Sequence, residues 1–71
     1  MAHNRKLLTD ADFREAMEAE RTIRVFRDGL VADSGGWIAR FDDDTVVIQS
    51  SVSDVRYHAR RECEFFENRG R

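Results

Sequence analysis

The stretch TIRVFRDGLVADSGGWIARFDDDTVVIQ, Thr22 to Gln49, decides the fold. From Thr22 the pattern has a period of two. Ile23 and Val25 point one way, and Thr22, Arg24 and Phe26 the other, as in a half-buried strand. Asp28-Gly29 predicts a tight type I′ hairpin turn, because glycine supplies the positive φ that this turn demands. Leu30 to Phe41 returns as one long strand. Its paired Gly35 and Gly36 predict a bulge or sharp bend, which lets one strand serve both halves of a small barrel. Asp42 to Asp44 forms the next turn. Thr45 to Ile48 is β-branched throughout and reads as a central strand.

N-terminal to this stretch the signals are helical. Thr9 is placed as an N-cap with Asp12 three residues on, and Leu8 and Phe13 have the spacing of a hydrophobic staple. Phe13, Ala16 and Met17 form a narrow apolar stripe, predicting one helix over 9–20 that lies on a sheet. Met1 to Leu7 is expected to be a short, mobile polar lead. On the C-terminal side, Ser50 to Asp54 reads as a turn. Val55, Tyr57 and Ala59 then alternate with Arg56, His58 and Arg60, a half-buried strand with a basic outer face. Cys63 and Phe65 alternate with Glu62, Glu64 and Phe66 in a last strand. The expected fold is a single domain, mostly β with one N-terminal helix. It is a small SH3-like, five-stranded antiparallel barrel with strands at 22–27, 30–41, 45–49, 55–60 and 62–67.

A chain of 71 residues makes at most one domain. At this size a core rarely supplies more than about 3–5 kcal/mol, and oligomerisation is a common remedy. The single Cys63 excludes an internal disulfide and a cysteine-rich zinc site, which fits a reducing, cytoplasmic setting. No apolar run reaches the length of a membrane span. The net charge of −2 argues against a simple DNA coat, and no DNA or membrane partner is expected. The charge is unevenly spread: both ends are basic around an acidic middle. His3, His58 and Cys63 lack metal-ligand spacing, and there is no nucleophile triad order or glycine-rich phosphate loop. No enzyme activity and no cofactor are therefore expected. Asp42 to Asp44 lacks the ligand spread of a calcium loop and reads as a solvated acidic turn.

The order of helix, apolar strand, Asp-Gly, glycine bend and following strands resembles the Sm fold, and within it the bacterial Hfq-type RNA-binding proteins. The residues that carry the likeness are FREAMEAER from Phe13 to Arg21, Val25 to Gly29, Gly36 to Ile38, Phe41-Asp42, Val46 to Ile48, Val52-Ser53 and Tyr57-His58. The resemblance implies a homo-oligomeric ring, a hexamer, that binds single-stranded RNA in post-transcriptional regulation. In that reading the last strand of one subunit pairs with the fourth strand of the next, with Tyr57, Cys63, Phe65 and Phe66 at the subunit interface. It implies RNA contacts at Tyr57 and His58 near the pore and phosphate contacts at Arg56, Arg60 and Arg61. Arg21 and Arg24, with Arg5 and Lys6, lie on the helix side, and Trp37 or Phe26 would stack bases on the opposite face. Asp43-Asp44 departs from the family, which has Gln-Phe there to read a base; two carboxylates repel phosphate. A second reading stays open: a non-catalytic protein-interaction or assembly module on the same barrel that binds no RNA.

Overall fold

The computed structural model describes residues 4–68 of the chain. Six strands and one helix follow in the order β1 (Asn4–Leu7), α1 (Asp10–Glu18), β2 (Thr22–Arg27), β3 (Leu30–Phe41), β4 (Thr45–Ser51), β5 (Asp54–Ala59) and β6 (Glu64–Asn68). All lie in one antiparallel sheet ordered β1-β6-β2-β3-β4-β5. The mostly β architecture with one short helix is as expected; two features differ. The sheet has six strands, because residues 4–7 pair along β6 instead of forming a mobile lead. It is also not closed: β1 and β5 are its two ends and do not pair with each other.

The missed strand has a physical cause. Leu7 is buried in the core with Phe13 and Phe65, while Leu8 is 67% exposed. The residue that anchors the chain ahead of the helix is thus Leu7, not the expected staple residue Leu8. Thr9 caps α1 as its spacing predicts: its hydroxyl accepts from the Asp12 N–H at 3.2 Å, and the Asp12 carboxylate accepts from the Thr9 N–H at 3.1 Å. α1 spans fewer residues than the expected 9–20.

The long strand β3 changes partner at its glycines. Asp28 and Gly29 both have positive φ in the turn that enters it. Val25 pairs with Asp33 and Ile23 with Gly36, so β3 carries one residue more than β2 between these pairs. Gly35, with φ near +88°, sits in that bulge. Beyond Gly36 the same strand pairs with β4, from Trp37–Gln49 to Phe41–Val46. This bend curls the sheet around a core of Leu7, Phe13, Ala16, Ile23, Val25, Ile38, Val46, Ile48 and Phe65. α1 closes one side through Phe13, whose ring lies 5.6 Å from Phe41 and 5.5 Å from Phe65. The Arg60 guanidinium covers Phe13 at 4.5 Å from the ring centre and is fixed by Asp10 (2.8 Å) and the Asp42 carbonyl (2.7 Å).

Candidate functional site

β5 is the end strand, and its alternation divides it into two surfaces. Its polar face turns inward, the reverse of the expected basic outer face. Ile48 pairs with Arg56 and Val46 with His58, and both β4 residues belong to the core. Arg56 and His58 therefore point toward the inside of the curled sheet, where Asp33 from the β3 bulge meets them. The Arg56 Nε donates to Asp33 Oδ2 at 2.6 Å, and His58 Nε2 lies 2.9 Å from the same oxygen. Asp33 is 8% exposed. Burial pushes its carboxyl up, but the hydrogen bonds from Arg56 and His58 outweigh that and hold it below the usual range. Asp54 binds Arg56 from the other side at 2.5 Å, and Ser50 bridges both, donating to Asp54 at 2.7 Å and accepting from Arg56 at 3.3 Å. Hydrogen bonds from Ser50 and then Arg56 keep Asp54 low, and those to Asp33 and Asp54 raise Arg56. β3 and β5 are not neighbours in the sheet. This network ties them across the open side with side chains, where a closed barrel has backbone pairing.

The outer face of β5 is apolar. Tyr57 is 65% exposed and Val55 41% exposed, next to Val47 and Gln49 of β4. Trp37, expected to stack a base, lies opposite Gln49 and is 39% exposed. Among the described residues no strand covers the far edge of β5.

A second surface lies at the other end of the sheet. Asn4, Arg24, Phe26, Glu64 and Phe66 line an open groove of about 300 Å³. Phe26 and Phe66 form its floor, edge to face at 5.5 Å. Arg24 has no ion pair among the described residues. A cation beside half-buried aromatic rings in an open groove is a surface on which a nucleobase can stack.

The expected site residues thus separate. Arg56 and His58 come together, but on Asp33, and Arg60 is committed to Asp10, Asp42 and Phe13. Arg24 and Phe66 come together in the groove. Arg61 is exposed in the β5–β6 connection. Arg21 is half-buried, with its Nε buried and lacking a hydrogen-bond partner among the described residues. Phe65, expected at a subunit interface, is 2% exposed within the core, and its strand is paired on both sides by β1 and β2. Cys63 packs partly against the core, and burial raises its thiol. Asp42 accepts from the N–H groups of Asp44 and Thr45 at 2.9 and 2.8 Å, so it builds its turn and is kept low by these bonds. Asp43 and Asp44 are exposed. Two acids escaped sequence reasoning. Asp33 had only its place beside the glycines as a signal. Glu67, 1% exposed and 3.3 Å from Arg5, had the period of β6, which puts it on the face of Phe65.

Compared with protein-family models, with curated proteins and with solved structures, the chain has no match in any of the three.

Proposed function

We propose that this chain is a divergent Sm-like, Hfq-type subunit. It assembles into a ring through the ends of its sheet and binds single-stranded RNA in post-transcriptional regulation. The observation that most supports this reading is the strand order. In the β6-β2-β3-β4-β5 portion the two end strands are the fourth and the last after the helix. Those are the two strands that the resemblance pairs between subunits. The RNA contact assigned by this reading moves from the pore residues to the groove. Arg56, His58 and Arg60 spend their donors on Asp33, Asp54, Asp10 and Asp42, whereas Arg24, Phe26 and Phe66 stand open to a base and its phosphate.

The measurement is binding of short A-rich and U-rich RNA to the full chain at several salt concentrations, with native mass alongside. The reading expects affinity that falls with salt, an assembly that is a multiple of the 8.3 kDa chain, and weaker binding in Arg24→Glu. Absence of RNA binding at low salt ends the RNA half of the reading. The assembly module then takes its place, favoured by the internal contacts that engage three of the expected RNA-contacting residues and the net charge of −2.

A further inference from the structure

We propose that β1 is a displaceable strap. It occupies the edge of β6 that receives β5 of a second copy, and its departure lets Tyr57 of that copy join Phe26 and Phe66 in one aromatic strip. This rests on the ring reading above and adds its regulation.

β1 is the shortest strand of the sheet, and Leu7 is its only buried residue. Of the acids that hold the residues before Leu7, Asp12, Glu15 and Glu64 are exposed or half-exposed and Glu67 is buried. Arg5 reaches Glu15 at 2.8 Å, Glu67 at 3.3 Å and Asp12 at 3.6 Å, and Lys6 reaches Glu64 at 3.4 Å. Leu7 sits two residues before the Thr9 cap, so Asn4 to Lys6 can leave β6 while Leu7 stays in the core.

β5 carries the same alternation as the strand it replaces. In β1 an inward Arg5 is followed by an outward Lys6. In β5 an inward Arg56 is followed by an outward Tyr57. Set against β6, the first puts an arginine beside Glu67 and a lysine over Phe66. The second puts an arginine on the same inner face and a tyrosine on the face of Phe66. Docked instead beside an undisturbed β1, Val55 and Tyr57 meet Asn4 and Lys6, with no apolar partner. Aromatic cross-strand pairs favour the exchange. An edge strand is an aggregation hazard when uncovered, and β6 is covered in both states, by β1 in the single chain and by β5 in the assembly. The groove also depends on the exchange, because Asn4 is one of its walls.

The test locks the strap in the full chain. Asn4 and Asn68 are register partners, so Asn4→Cys with Asn68→Cys forms a disulfide on oxidation, and Asn4→Cys alone controls for pairing with Cys63. Native mass is read against concentration. The expected result is a single chain of 8.3 kDa for the oxidised lock and wild-type assembly after reduction. Arg5→Glu, which sets a carboxylate among Glu15, Glu67 and Asp12, is expected to assemble at about tenfold lower concentration, some 1.4 kcal/mol. Equal assembly of the oxidised and reduced lock overturns the strap and leaves the ring standing. Failure of the wild type, the reduced lock and Arg5→Glu to associate at any concentration overturns both.

Discussion

Gly36→Ala tests the bend on which the whole arrangement depends. A Cβ at this position lies 2.5 Å from Ile48 Cγ2 and 3.0 Å from the Gln49 carbonyl oxygen. Carbon atoms rest at about 3.5–4.0 Å, so the Ile48 methyl must give way by about 1 Å. Ile48 is fully buried, and the Gln49 oxygen is main chain of β4, so neither moves freely. Overpacking of this kind costs about 1–3 kcal/mol. In a domain of this size each kcal/mol lowers Tm by about 4–8 °C, so a fall of about 5–20 °C is expected in thermal unfolding. Ile48→Leu removes the offending γ2 methyl. In the double variant part of the loss returns, with a coupling of about 1 kcal/mol between the two sites. Gly35→Ala is the internal comparison. Nothing lies within 4 Å of its Cβ, but its φ is +88°, so it costs about 1 kcal/mol of backbone strain and does not couple to Ile48. A Gly36→Ala protein as stable as wild type, or strict additivity with Ile48→Leu, would refute the close approach of β3 to β4.

Two further predictions concern the ions. Asp33 has a folded-state pKa below its unfolded value, so the unfolded chain binds the proton first as pH falls. Its contribution is whole above about pH 4, the unfolded value, and is lost as pH falls through the depressed folded one. Asp33→Asn is expected to lose about 1–3 kcal/mol at neutral pH and to show a shallower acid limb in urea unfolding across pH; an unchanged limb sinks the assignment. Arg60→Ala removes the cation over Phe13 and the clasp on Asp10 and Asp42. It should lower the unfolding free energy by about 1–2 kcal/mol, read as a lower urea midpoint at unchanged slope, and an unshifted midpoint would show that the clasp contributes nothing.

What the sequence disclosed was local. The Asp28-Gly29 turn, the Leu30–Phe41 strand and the Thr9 cap each follow from residues within a few positions of one another. The face of β5 was not legible, because alternation separates Arg56 and His58 from Val55 and Tyr57 but does not say which set goes inside. The apolar set was the natural choice for the core. The structure reverses it because Asp33, brought in by a bulge more than twenty residues upstream, supplies the buried partner for the Arg56 guanidinium and the His58 ring. β1 was hidden for the same kind of reason. Four residues with one core side chain carry no period, and their pairing partner lies at the other end of the described chain. The groove depends in turn on β1, so its Phe26–Phe66 floor showed only as two separate aromatics.

The contact between Arg5 and Glu67 closes a separation of 62 residues. Among the pairings of this sheet, that of β1 with β6 therefore demands the largest loss of chain freedom before it returns any contact. The hairpins β2–β3, β3–β4 and β4–β5 form within short loops and can precede it. The order of assembly is then written into the topology, with the strap docking last and opening first. In hydrogen exchange the amides of Asn4 to Lys6 belong to the least protected class, while those of Val46 to Ile48 report the opening of the whole domain.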